Sequence, residues 1–363
     1  MTAPLDALLP QGAQELVARR YQAVTGFLAE RELDPGWLSS LMRDWAGDGE
    51  LLLTSSPVHG LANETSDLDF IRIQQDMISG PRISAKLFER GHHLEVVSFS
   101  AAELKQALDE LDVLASQPPA KTVAGYRSWD KRLEPRRKQT ERIVNGLTLD
   151  GTAPYLDGLP ALAIVWSRAA LQAAIEQAVH LSLAESAGEL RGRVGYACNV
   201  LLHLMDCLLS VHGDVYTTRK WYLLRWTRHV RQENWRSDEH RWLGAAVEQA
   251  RRSLAGALTS PEPIAPGYAD LVASVAEVIG AGPVRVRMAL ADDAEYHDYL
   301  PGAGMLSAPG GAILVPRRPD FGDSAWSLPV LPGMAREDAA SRLLVVRSGI
   351  GQVITEYGDR RSR

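Results

Sequence analysis

The chain has 363 residues, 45% hydrophobic and 23% charged, an ordinary globular balance that excludes a disordered, collagen-like or coiled-coil polymer. Its 39 Lys and Arg against 45 Asp and Glu leave a net charge of −6, so no global basic field exists to hold a nucleic-acid backbone. Two cysteines, Cys198 and Cys207, exclude a disulfide scaffold or a cysteine-rich zinc site; with no apolar leader in the first nine residues, the expected location is the reducing cytoplasm.

Residues 12–31 place Leu16, Ala18, Tyr21, Val24 and Leu28 among charges, which predicts an amphipathic opening helix, and residues 36–46 predict a second. The period then changes. Glu50–Thr54 and Ser66–Ile73 read as strands, and Pro81 opens a further pair, Arg82–Phe88 and His92–Phe99, around the turn Glu89-Arg90-Gly91.

From Ala101 the pattern is helical, broken at Gln117-Pro118-Pro119. Long helices are expected over 158–187, 191–212 and 237–258, and the apolar runs Leu159–Trp166 and Val200–Val211 are too short or too interrupted by His203 and Asp206 to span a bilayer. The prolines of Ser260–Gly267 cannot continue a helix and predict a linker. Beyond it, Val284–Leu290, Ala312–Val315 and Leu343–Val346 read as strands, with turns at Gly310-Gly311 and Gly349. Three modules are expected: 1–117, an α/β (α+β) module with a short mixed sheet; 118–262, helical; and 263–363, a small mixed α/β module.

The informative segment is Leu51-Leu-Leu-Thr-Ser55-Ser56-Pro-Val-His-Gly60, followed by Ser66-Asp67-Leu68-Asp69-Phe70. Two acids two apart on a strand project from one face, where they repel unless a cation lies between them. Mg²⁺ suits that position, because it takes one or two carboxylates and completes its shell with phosphates and water. The small residues upstream let backbone amides approach a triphosphate, and a helix starting there would add its positive end.

On these residues the sequence resembles the nucleotidyltransferase superfamily that includes polymerase β, and more narrowly the aminoglycoside and lincosamide nucleotidyltransferases. The resemblance covers roughly residues 45–100: Ser56 and Gly60 hold the Ser and second Gly of the family's loop, Ser66-Asp67-Leu68-Asp69 its acidic signature, and Ser55 replaces the first Gly. It implies that Asp67 and Asp69 hold two Mg²⁺ ions, that Ser55, Ser56, Gly60 and Ser66 meet the phosphates, and that Glu95 in His93-Leu94-Glu95 is either a third metal ligand or the base for an acceptor hydroxyl. Similar helices in the family, followed by a Gly and a Lys-Trp pair, line the nucleotide pocket. Here Asn199, His203, Asp206 and Ser210 form one polar line along an apolar helix, followed by Gly213 and Lys220-Trp221, so Asp206 and Lys220 are nucleotide-binding candidates, with Tyr216 or Trp221 packing on base or acceptor. The line's alternative is simply the helix's wet side.

The implied activity is Mg²⁺-dependent transfer of a nucleoside monophosphate, with ATP as the expected donor, to a hydroxyl of a small molecule such as an antibiotic or biosynthetic intermediate. The charge balance argues against a polynucleotide acceptor. The alternatives are a protein- or RNA-modifying nucleotidyltransferase sharing the site, and a non-catalytic nucleotide-binding protein. The run Arg136-Arg137-Lys138 with Arg142 reads as a solvated helix face.

Overall fold

A computed structural model describes residues 12–75, 84–132, 136–233, 235–260, 262–301, 303–316, 321, 325–328 and 333–358. The chain is a mixed α+β protein that divides into two compact units: Met1–Trp166 with Leu209–Arg236, and Ser167–Leu208 with Ser237–Arg363. These units follow contact rather than chain order, and the boundaries drawn from the sequence at 117 and 262 do not coincide with theirs.

In the first unit, α1 (Ala13–Ala29) and α2 (Pro35–Ala46) precede β1 (Glu50–Leu53), β2 (Leu68–Gln74), β3 (Ser84–Glu89) and β4 (His92–Ser100). Asp34 starts α2 by accepting from the Trp37 amide at 2.7 Å, with Pro35 in the first turn where its missing N–H costs nothing. The strands form one sheet in the order β1-β2-β4-β3, parallel only between β2 and β4. Arg90 and Gly91 turn β3 into β4 with positive φ, as Glu89-Arg90-Gly91 predicted.

Alternation along the strands sends their apolar side chains to opposite faces. Leu53, Phe70, Leu94 and Val96 pack with Val24, Leu28, Leu38 and Met42 of α1 and α2. Leu52, Ile71, Ile73 and Phe99 pack with Leu104 of α3 (Ala101–Ser116) and Ile143 of α5 (Arg136–Asn145). The sheet is therefore a middle layer. Between these helices runs α4 (Pro119–Arg132), and Ser100 and Glu103 close a capping box at the start of α3. After α5 the chain lays Leu147 against the outer edge of β1, exchanging two backbone hydrogen bonds with Leu53 at 2.7 and 3.0 Å.

The chain leaves this unit within α6 (Leu159–Ser186) and re-enters it within α7 (Leu190–Val211), after which α8 (Tyr222–Gln232) completes it. The helices at Leu156–Ser186 and Leu190–Val211 are long and apolar enough to cross a membrane, but most of their surface is buried inside the molecule, as in core helices. In the second unit follow α9 (Asp238–Thr259), α10 (Ala265–Val278), β5 (Val284–Leu290), β6 (Glu295–Leu300), β7 (Ala303–Ala308), β8 (Gly311–Val315), β9 (Trp326–Ser327), α11 (Arg336–Arg347) and β10 (Gly351–Tyr357). They make two small sheets, β10-β5-β9 and β6-β7-β8.

Two expectations are corrected here. The proline-rich linker ends sooner than its composition predicts: α10 starts at Ala265 with Pro266 in its first turn, and the Glu185 carboxylate caps it by accepting from the amides of Ile264 and Ala265 at 2.8 and 3.0 Å. Leu343–Val346 lies inside α11, not in a strand. Ala339, Leu343 and Val346 are buried at helical spacing, and Glu337 and Asp338 favour its N-terminus, so the short apolar run is one stripe of a helix.

Candidate functional site

The site grows from the junction of β1 and β2. Beyond Leu53 the chain turns sharply, and Thr54 ties the turn down: its amide and hydroxyl both donate to the Asp69 carbonyl, at 2.9 and 3.0 Å. Ser55 then takes φ of 66°, the left-handed region that favours glycine, so a serine holds the backbone shape of the glycine that the resemblance expects. Its Oγ is buried without a hydrogen-bond partner among the described residues, a polar atom aimed at nothing the chain supplies. Ser56 is buried and its carbonyl accepts from the Leu61 amide at 2.9 Å, while Gly60, at φ of 62°, donates to the Pro57 carbonyl at 3.1 Å. This segment is a tight turn, not the start of a helix, so the helix end expected to face the phosphates is replaced by individual backbone groups.

Downstream, Asn63 to Ser66 form a second turn in which the Ser66 hydroxyl accepts from the Asn63 amide at 2.9 Å and contacts the Asn63 side-chain oxygen at 2.8 Å. Ser66 therefore spends its hydroxyl on the turn that launches β2. Asp67 is exposed just before the strand and Asp69 half-buried within it, with buried Leu68 and Phe70 on the other face. The parallel register sets Asp69 opposite Glu95 of β4. The three acids named from sequence thus share one end and one face of the sheet.

Basic side chains answer them. Arg142 of α5 places Nη2 3.1 Å from Asp69 Oδ2, with both side chains mostly buried. The solvated helix face expected for Arg142 is corrected by this pair: its side chain is sheltered against Asp69 on the interior strand β2. Glu95 accepts from the Ser84 hydroxyl at 2.5 Å and lies 4.0 Å from Lys86 Nζ. Partial burial and Arg142 hold the Lys138 ammonium below its ordinary range, while Asp69, Glu95 and Glu141 oppose that shift.

Whether this donor set suits a metal follows from its chemistry. No three His, Cys, Asp or Glu side chains among the described residues stand close enough to enclose an ion. Asp67 and Asp69 are hard oxygen donors on one accessible face, which fits Mg²⁺ in the role where one or two carboxylates anchor it and water and phosphate complete the shell.

Behind the turn lies a buried polar network that no linear motif announces. Glu141 on α5 meets His59 Nε2 at 3.3 Å, Asn145 Nδ2 at 3.0 Å and the Thr217 hydroxyl at 3.2 Å. Asn145 also donates to the Val215 carbonyl at 3.0 Å and accepts from Arg20 at 2.6 Å. His59 stacks at 4.4 Å on Tyr216, and burial lowers its pKa although Glu141 opposes this. Its partners come from segments far apart in the chain, so only folding brings them together.

The remaining candidates lie elsewhere. Lys220 is exposed on a 3₁₀ turn, Arg219–Trp221, with its ammonium 5.0 Å from the Trp221 ring centre. Asp206 is buried on α7 in the second unit. On the same line Ser210 is buried and Asn199 donates to Gln177 at 3.2 Å, so the line is not the helix's wet side.

A family model described as a family of unknown function (DUF6001) matches residues 11–356. No curated protein matches the chain. Among solved structures, a nucleotidyltransferase-like protein from Exiguobacterium sibiricum 255-15 is similar at 12% identity over 72% of this chain and 74% of that one, with a TM-score of 0.27. A likeness that low carries no argument, and the functional reading rests on the site's own residues.

Proposed function

The chain belongs to the DUF6001 family, and we propose that it is a nucleotidyltransferase moving a nucleoside monophosphate from a nucleoside triphosphate to the hydroxyl of a small molecule. One observation carries the reading: the register that sets Asp69 opposite Glu95, on a strand whose Asp69 carbonyl also pins the Ser55-Ser56 turn through Thr54. Asp69, Glu95 and the Ser55-Ser56 turn are thereby tied to one another by backbone geometry.

In this reading the acceptor oxygen attacks the α-phosphorus, forming the new O–P bond. The bond to the bridging oxygen breaks, and its electron pair departs with pyrophosphate. Glu95, which accepts from the Ser84 hydroxyl at 2.5 Å, takes the acceptor's proton in this reading; a third metal ligand is its alternative role. The Ser55 hydroxyl, without a partner among the described residues, donates to a phosphate oxygen, as do the amides of the following turn. Asp67 and Asp69 would hold Mg²⁺ against the donor's phosphates, where it neutralises charge and aligns the displacement. Arg142, the present partner of Asp69, would be the guanidinium placed to meet a phosphate oxygen. The net charge of −6 favours a small acceptor over a polynucleotide.

A second reading, nucleotide binding without turnover, is favoured by one fact: Arg142 already supplies Asp69 with its counter-charge. Incubation of the chain with each α-labelled nucleoside triphosphate, Mg²⁺ and fractionated lysate tests both. Pyrophosphate release with label on a small molecule, absent in Asp69→Asn, is expected. Label on protein or RNA would change the acceptor class, binding without release would select the second reading, and no binding of any nucleotide would end both.

A further inference from the structure

The first unit contains a cavity of about 130 Å³ on the other side of the 58–60 turn, enclosed by α1, the segment 212–214 and α8. Ser55, Asp67, Asp69 and Glu95 do not line it, although Gly60 belongs both to its wall and to the turn that follows Ser55-Ser56. Among the described residues its wall carries Arg19, Arg20, Arg225 and Arg228 against one carboxylate, Asp214, an excess of three positive charges with the histidines neutral. Counting Glu141, which stands behind His59 at 3.3 Å, still leaves an excess of two.

Neighbouring groups fix three of these guanidinium groups in place, while Arg19 is exposed at the rim. Arg20 is held by the Asn145 side chain and carbonyl, at 2.6 and 3.3 Å. Arg225, fully buried, donates to Asp214 Oδ1 and to the carbonyls of Tyr216 and Asp214. Arg228 donates through Nη1 to the His59 carbonyl at 2.9 Å. Asp214 shows how positive the surroundings are: burial alone would raise its pKa, yet Arg225, His59 and Arg228 pull it down to about 2.

The second observation is His229. It is 8% exposed, lines the same cavity, and its Nε2 has no hydrogen-bond partner among the described residues. Its ring is clamped by His212 and Trp235, with centroids at 4.8 and 4.5 Å, so it cannot swing out to water. A buried ring nitrogen without a partner is unfavourable, and a bound ligand relieves it. Fixed guanidinium forks, charge excess and an unfilled donor together describe an oxyanion site built before its ligand arrives.

We propose that this cavity binds a small phosphate-class anion, inorganic phosphate or a compact phosphate ester, at a site separate from the acid pair. The volume holds roughly ten waters, enough for a phosphate or diphosphate. Phosphate rather than a monocarboxylate follows from the charge, since a singly charged ligand would leave part of the excess unanswered in a low-dielectric wall. The nucleotidyl-transfer reading is not required for it.

Calorimetric titration of the full chain with inorganic phosphate, and separately with pyrophosphate, at fixed ionic strength tests the site. Saturable binding is expected, weakened by about tenfold or more in Arg228→Gln and in Arg19→Gln, and kept within about twofold in Asp69→Asn. Melting curves without ligand identify any variant that fails to fold, and the two arginine variants act on different helices, so one loss does not remove the test. Absence of saturable binding up to tens of millimolar, equal affinity in both arginine variants, or loss of binding in Asp69→Asn would each overturn the proposal; the last would place the anion at the acids. If the triphosphate assay fails while phosphate still binds in an Arg228-dependent manner, the cavity stands and the nucleotidyl-transfer reading falls.

Discussion

Arg142 Nη2 lies 3.1 Å from Asp69 Oδ2, with the two side chains 14% and 18% exposed, so the acid at the centre of the candidate site is neutralised by the chain itself. A pair this sheltered is worth more than a surface ion pair, which contributes about 0–1 kcal/mol. Arg142→Gln is expected to lower stability by about 1–3 kcal/mol and to weaken nucleotide binding, since it removes the guanidinium that would meet a phosphate oxygen. Chemical denaturation of the two single variants and the double variant with Asp69→Asn gives the coupling. Strict additivity would mean that the two side chains do not interact in solution.

Glu95 separates two chemistries. As proton acceptor, Glu95→Gln lowers kcat by about 10²–10⁴ while leaving KM for the triphosphate and the Mg²⁺ requirement nearly unchanged. A large shift in the Mg²⁺ concentration needed for half-maximal rate would instead make Glu95 a ligand of the ion.

Ser55 trades stability for a hydroxyl. At φ of 66° a non-glycine residue costs about 1–2 kcal/mol, offset in Ser55→Gly by about 0.5–1 kcal/mol of extra freedom in the unfolded chain. Ser55→Gly is therefore expected to be at least as stable as the parent in urea melts, whereas Ser55→Val loses more than about 2 kcal/mol. If the Oγ meets a phosphate, Ser55→Ala weakens nucleotide binding without destabilising the fold. Unchanged nucleotide affinity in that variant would remove the hydroxyl from the site.

The arginine cavity sets the acid limb of stability. Burial lowers the His229 pKa to about 4 from its ordinary 6.5, against the opposing pull of Asp214. Between those pH values the unfolded chain holds a proton that the folded chain refuses, so stability is full above pH 6.5 and falls towards pH 4. His59 and His180, also lowered by burial, add to this limb. Asp214, at about 2 against 3.8, contributes stability above pH 3.8 that is lost as pH falls towards 2. Denaturation midpoints from pH 7 to 4 are expected to flatten in His229→Gln by on the order of 3 kcal/mol. An unchanged slope would show that His229 is already protonated in the folded chain.

The sheet and its acids were legible because their signals are local. Alternating apolar residues fixed β1, β2 and β4 to within about two residues, and Asp67, Asp69 and Glu95 follow from spacing along two strands that prove adjacent. Leu343–Val346 misled because four apolar residues carry no period, and β6 and β7 escaped notice because their exposed, polar or glycine-containing sequences lack alternation. The network of Arg20, His59, Glu141, Asn145 and Asp214 was invisible for a different reason. Each is an ordinary charged or polar residue until the fold desolvates it, and partners such as Arg20 and Asn145 are 125 positions apart.

The return of Leu209–Arg236 to the first unit makes that unit an interrupted one. A fragment cut after Trp166 would keep the whole sheet and all three acids, yet Asn145 would lose the Val215 carbonyl, Glu141 the Thr217 hydroxyl and His59 its Tyr216 platform. The unit that carries these acids is thus not separable by a single cut. Gene fusions, truncations or natural shortenings that keep the acidic motif but end before residue 209 would carry the signature of the site without the scaffold that holds it.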